Sequence, residues 1–159
     1  MNNYLVYSSP LGDLRLVASE QGLAGVYFPE HKHLQWQNTW QHKPHDAVLL
    51  RAQTQLQEYF AGLRTEFDLP LDLSQGTVFQ QEVWRALSSI PYAQTCSYAA
   101  LAKKIGRPKA VRALGAANGR NPLSIIVPCH RVIAANGDLQ GYAGGLSNKQ
   151  YLLDLERVR

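Results

Sequence analysis

The chain is predicted to be an α/β protein: a small N-terminal antiparallel sheet with one packed helix, followed by a mostly helical half that contains a helix-turn-helix. Three observations predict it. Short β-branched and aromatic runs broken by turn signals extend to Phe28, a helical recurrence of apolar residues follows, and from Thr77 onward the apolar stretches open on helix-start signals.

Tyr4 to Tyr7, Leu14 to Ala18 and Leu23 to Phe28 are the strand segments, with turns at Ser9-Pro10-Leu11-Gly12 and Gln21-Gly22. They predict an antiparallel meander. From Asp46 to Phe60, the residues Val48, Leu49, Ala52, Leu56, Tyr59 and Phe60 recur at helical spacing, so this helix would pack on the sheet. Phe67-Asp68-Leu69 reads as a further strand and Pro70 to Gln75 as a linker, placing the two domains at 1–75 and 76–159.

In the second half, Thr77 and Gln80 form a capping box ahead of Phe79, Val83, Leu87 and Ile90. Ser97 caps a short helix with Leu101 and Ile105 that stops at Gly106. Pro108 occupies the first turn of the next helix, which runs to about Asn118. Helices joined across Gly106-Arg107 make a helix-turn-helix whose second member is the recognition element. Ser147 and Gln150 form another capping box before a final helix.

Charge is regional. The net charge is +4, yet the 55 residues from Val83 to Gly137 hold eight lysines and arginines and no acid. Such a block is either a solvated face or a footprint for phosphates. Ala110, Ala113, Ala116 and Ala117 interleave with Lys109 and Arg112, and Lys103, Lys104, Arg107 and Arg120 surround them. Alanines at helical spacing ordinarily mean tight helix packing. Beside that many cations they favour DNA, and small side chains suit a narrow minor groove. No run approaches the roughly 20 apolar residues of a membrane span, and the N-terminus lacks a basic signal start, so a soluble, cytoplasmic protein is expected.

Only two cysteines occur, Cys96 and Cys129. An intracellular setting disfavours a disulfide between them. His31, His33, His42 and His45 lack zinc-ligand spacing, so no metal or cofactor is expected. Cys129 stands between Pro128 and His130-Arg131. A lone cysteine is ordinarily structural, but nearby cations would lower this thiol's pKa and His130 could take its proton. An imidazole in that role needs an orienting carboxylate, and Glu156, four residues after Leu152 on a helix, can turn inward. Gly141-Tyr142-Ala143-Gly144-Gly145 is a flexible loop with an aromatic that could close on a ligand.

The string Pro128-Cys129-His130-Arg131-Val132, with Arg112 to Pro122 upstream and Gly141 to Gly145 downstream, resembles the methylated-DNA:protein-cysteine methyltransferases, or 6-O-alkylguanine-DNA alkyltransferases. The likeness is dense from about Thr77 to Glu156 and mostly architectural before residue 75. It implies that Cys129 accepts the alkyl group as a thioether, His130 deprotonates it through a water, and Glu156 holds the imidazole. It further implies that Tyr98 donates to the purine N3, Arg112 fills the stack left by the flipped base, and Asn121 bridges the recognition helix to the cysteine strand. The carbonyls of Cys129 and Val132 would accept from the exocyclic amine. Tyr142, Ala143, Gly144 and Gly145 would line the pocket, the Ala143 amide donating to the base oxygen. Lys109, Ala110, Ala113, Arg107 and Arg120 would join Arg112 on duplex DNA, with the protein a monomer. Some relatives carry serine where Ala143 stands, and non-catalytic relatives replace the acceptor cysteine with tryptophan. A lesion-binding module without transfer is the rival reading, and a cysteine hydrolase a third.

Overall fold

Burial alternates along β1 (Asn3–Ser9), where Leu5 and Tyr7 face inward and Val6 outward, which fixes the inner side of the sheet. The computed structural model describes residues 2–30, 39–137, 142 and 144–157. β1 pairs antiparallel with β2 (Gly12–Ala18), and β2 pairs antiparallel with β3 (Leu23–Tyr27). The predicted meander is present. Its other edge carries β4 (Gln41–His42), a two-residue strand parallel to β1 that has no signal in the sequence. His42 and His45 are exposed, whereas His31 and His33 lie outside the described residues.

α1 (Ala47–Phe60) starts where Asp46 Oδ1 accepts from the amides of Val48 and Leu49 at 3.0 and 3.1 Å. Leu49, Ala52, Leu56 and Tyr59 form its buried stripe against the sheet. Phe67-Asp68-Leu69 is not a strand. The Gln55 side chain takes the place of a strand partner there, accepting from the Asp68 amide at 2.9 Å and donating to its carbonyl at 3.0 Å. The expected linker is also tied down: Leu23 N donates to Pro70 O, and Asp72 N to Leu23 O, both at 2.8 Å. On the same edge Val26 N donates to Pro122 O at 2.8 Å. β3 is therefore buried at all five positions although it ends the sheet.

α2 (Val78–Leu87) carries the Thr77–Gln80 capping box as predicted. Its Trp84 Nε1 donates to Ala117 O at 2.9 Å, in the helix that the sequence predicts to be the recognition element. β5 (Cys96–Ser97) leads directly into α3 (Tyr98–Lys104), capped by Ser97 Oγ. Gly106, with φ +76°, turns the chain toward α4 (Val111–Gly119). α4 begins three residues later than the proline signal suggests. Ala110 N donates to Arg107 O, so Pro108 stands in a turn before the helix. β6 (Val132–Ile133) pairs parallel with β5, and α5 (Leu146–Arg157) closes the chain. α5 starts ahead of Ser147, so the Ser147–Gln150 capping box does not form. One continuous apolar cluster runs from Leu5 through Trp84 and Leu114 to Leu152, joining both halves. No helix among the described residues is long and apolar enough to cross a membrane.

Gly22 has φ +149°, and a Cβ there would stand 2.5 Å from Pro70 O. The Gly22→Ala variant should therefore lose about 1–3 kcal/mol of unfolding free energy, read from urea denaturation. A loss below about 0.5 kcal/mol would show that the Pro70–Asp72 segment does not need that close approach.

Candidate active site

Asn121 builds the turn that carries Cys129. Its Nδ2 donates to Val127 O at 2.8 Å and its Oδ1 accepts from Leu123 N at 2.9 Å, with the side chain 1% exposed. Leu123 to Val127 is thus a buried turn held by an amide, and it stands where the family resemblance implies the approach to a cysteine strand. Ile125 sits in it at φ +73°, a conformation that β-branched residues avoid. The chain then makes one 3₁₀ turn over Cys129–Arg131 before entering β6.

Glu156 gathers that turn. Its Oε2 accepts from Tyr59 Oη at 2.6 Å, lies 2.7 Å from His130 Nε2, and accepts from Arg131 Nη2 at 3.1 Å. Its Oε1 accepts from Arg131 Nε at 2.9 Å and from the Ala93 amide at 3.2 Å. Burial would raise this carboxyl's pKa, but the hydrogen bonds from His130 and Arg131 outweigh it and hold the group far below the usual carboxylate range. Glu156 is therefore an anion, so Nε2 is the protonated nitrogen of a neutral His130 and Nδ1 carries the lone pair. Nδ1 has no hydrogen-bond partner among the described residues. Burial lowers the imidazole's pKa, Glu156 opposes that, and Arg131 and Lys149 reinforce it. Arg131 does not lend its charge to the thiol, as the sequence suggested. Its remaining nitrogen donates to Ile90 O at 2.7 Å, and the whole fork is spent on the carboxylate and this carbonyl.

Cys129 is 3% exposed, and burial pushes its thiol up to about 11. The expectation of a cation-depressed thiol is thus corrected. The surface lysines and arginines are too solvated to offset desolvation, and the value is pulled back by the Asn121 amide, the Lys149 ammonium and the backbone amides of Cys129 and His130. On the order of one thiol in ten thousand is then ionised at neutral pH, so attack by sulfur requires proton removal in place. Cys96 is a second free thiol, half-buried on β5.

Lys149 is the residue that sequence reading missed. It is fully buried on α5, and its Nζ donates to Val132 O at 2.7 Å. Burial brings its ammonium down to about 8 while Cys129 raises it. Its position three residues before Leu152 on the apolar side of α5 was the available signal.

A model of the 6-O-methylguanine DNA methyltransferase DNA-binding domain matches residues 78–158, and one of the ribonuclease-like domain of the same proteins matches residues 2–73. The constitutive methylated-DNA–protein-cysteine methyltransferase of Bacillus subtilis is 47% identical over 99% of this chain and 97% of its own length. The chain belongs to the 6-O-methylguanine DNA methyltransferase family. The crystal structure of Mycobacterium tuberculosis OGT in complex with DNA superposes with a TM-score of 0.92 at 47% identity, covering 98% of this chain and 93% of that one. The O6-methylguanine-DNA methyltransferase of Pyrococcus kodakaraensis, 22% identical with a TM-score of 0.66 over 98% of this chain and 99% of that one, shares the fold.

The residues that the family resemblance singled out divide between the surroundings of the thiol and the outer surface. Around the thiol, Tyr98 opens α3 within electrostatic reach of Cys129 and lies beside Gly115 of α4. Tyr142 is buried near the same sulfur and meets Phe28 edge-on at 5.9 Å. A Cβ on Gly144 would come within 2.3 Å of the Phe28 ring, so Gly144 lies directly against the N-terminal half. Gly145 follows at φ +96°, and Ala143 lies outside the described residues. The carbonyls assigned to a base amine already serve inside the protein: Val132 N donates to Cys129 O, and Lys149 holds Val132 O. Each oxygen keeps a second lone pair.

On the outer surface, Lys109, Arg112, Ala113, Ala116 and Arg120 are exposed along or beside α4, with Ala110 half-buried at its start. Ala117 leaves this face for the core. Arg107 is turned toward α2, where it pairs with Glu82 at 3.2 Å and lies over the Phe79 ring.

Lys149→Met in a Cys96→Ser background should slow alkylation of Cys129 by iodoacetamide near neutral pH, where the Lys149 ammonium is still charged, because a favourable charge beside the forming thiolate is lost. An unchanged or faster rate would remove Lys149 from the thiol's electrostatics.

Proposed function

We propose that this chain repairs DNA by direct reversal, moving the alkyl group of 6-O-alkylguanine, with 4-O-alkylthymine as a second substrate, onto Cys129 once per molecule. The observation that carries the reading is the buried His130–Glu156 pair directly following a desolvated cysteine. His130 Nδ1 takes the thiol proton through a bridging water. As the Sγ–C bond forms in line, the bond from carbon to the base oxygen breaks and its electron pair stays on the purine, where Tyr98 donates toward N3. Asn121 fixes the turn, and Tyr142, Ala143, Gly144, Gly145 and Val132 line the base pocket. The thioether product has no hydrolysis step, so the protein is consumed.

The lesion is reached by flipping, which costs a few kcal/mol of stacking and pairing. α4 enters the minor groove with Ala110 and Ala113 at the close approach. Arg112 occupies the vacated stack, and Lys109, Arg120 and Arg107, once released from Glu82, contact phosphates. Residues 1–75 support the site and residues 76–159 carry DNA binding and transfer. The protein works as a monomer in the cytoplasm, at the nucleoid in a bacterial host.

Intact mass after incubation with methylated duplex should rise by one methyl per chain, mapped to Cys129. Cys129→Ala should show no rise while keeping its affinity for the duplex, since phosphate contacts supply most of the binding. Lesion binding by wild type without mass gain would instead support a non-enzymatic damage-recognition module, and repeated ester turnover a hydrolase. Arg112→Ala should slow repair of duplex by at least about tenfold more than reaction with the free base, reflecting a few kcal/mol of flipping cost left uncompensated. Equal slowing of both would remove Arg112 from the flipping step.

A further inference from the structure

We propose that Tyr59, on α1 of the N-terminal half, is a positioning residue for transfer, its hydroxyl setting how strongly Glu156 holds a proton on His130. The inference deepens the alkyl-transfer reading and rests on it. Tyr59 is fully buried, and its Oη donates at 2.6 Å to the same Oε2 that faces His130 Nε2 at 2.7 Å. The ring alone would satisfy packing. It lies 5.5 Å from both Phe60 and Phe67 and 6.2 Å from Tyr92, contacts that a phenylalanine would keep. Arg131 and the Ala93 amide already neutralise much of the carboxylate, so the hydroxyl adds a donor that ion pairing does not require.

The sign of the effect follows from charge. Each donor to Oε2 draws electron density from it and weakens its attraction for a proton on Nε2. With the Tyr59 hydroxyl in place, the imidazolium is less favoured and His130 stays neutral, ready to accept the thiol proton, over a wider acid range. The other groups facing this pair are Arg131 and Lys149, which disfavour the imidazolium, and Cys129 and Tyr142 across the pocket. Burial and the Glu156 anion hold the Tyr59 phenol far above its ordinary pKa, so it remains a donor at every working pH.

The test compares wild type, Tyr59→Phe and Tyr59→fluorotyrosine as full-length chains. Two quantities are followed against pH: the His130 ring nitrogens by NMR without DNA, and single-turnover methyl transfer from a 6-O-methylguanine duplex. Tyr59→Phe should move the His130 titration and the acid limb of transfer to higher pH, lowering the rate at the acid end by about three- to ten-fold, a fraction of what one hydrogen bond to a charged group contributes. Tyr59→fluorotyrosine keeps the hydroxyl and donates more strongly, so both curves should move the opposite way. Should Tyr59→Phe fail to fold, the fluorotyrosine chain decides alone. An unmoved His130 titration, a uniform loss of rate with the limb in place, or both variants moving in one direction would overturn the assignment. Absence of transfer in wild type would sink the alkyl-transfer reading, while the His130 titration would still judge Tyr59.

Discussion

A single buried carboxylate organises this protein. Glu156 accepts hydrogen bonds from a helix of the N-terminal half, from the backbone near β5, and from two consecutive residues of the cysteine turn. Buried ion pairs of this kind contribute little net stability, because removing both charges from water costs about as much as their attraction returns, yet breaking one partner costs about 3–5 kcal/mol. What the arrangement secures is geometry. It fixes the imidazole's protonated nitrogen, anchors Arg131, and thereby settles where the neighbouring thiol stands.

The N-terminal half reaches the site at three places. Tyr59 meets the carboxylate, Val26 bonds the Pro122 carbonyl beside Asn121, and Phe28 packs against Tyr142 and the Gly144 backbone. β3 supplies or adjoins two of these, which explains why an edge strand is apolar throughout. Its free edge is used up by the rest of the chain.

Much of this was legible in the sequence. Period-two runs and turn residues located the meander, and the Thr77–Gln80 box located α2, because these signals act within a few residues. The spacing of Glu156 from Leu152 indicated an inward carboxylate, and it is inward. Less was legible where a distant group replaces a local partner. Gln55 satisfies Asp68 in place of a strand, the Pro108 turn closes before α4 begins, and the thiol's ionisation is governed by burial that no local window displays. Lys149 was passed over because an isolated lysine on a helix reads as solvated, and only the assembled pocket reveals a carbonyl for it to bond. Arg107 lies well inside the acid-free stretch, yet Glu82, one residue outside its margin, captures it.

Among the described residues, the two without glycine's freedom that take positive φ are Ala93 and Ile125, one donating to Glu156 and the other inside the cysteine turn. Glycine at Ile125 would ease the backbone but empty a site that is 1% exposed, so local and tertiary preferences conflict there. The unfolded chain avoids this bend, and only a completed core can enforce it. The acceptor sulfur is accordingly displayed by a frustrated segment, and its readiness is a property of the whole molecule's closure, not of the few residues around it.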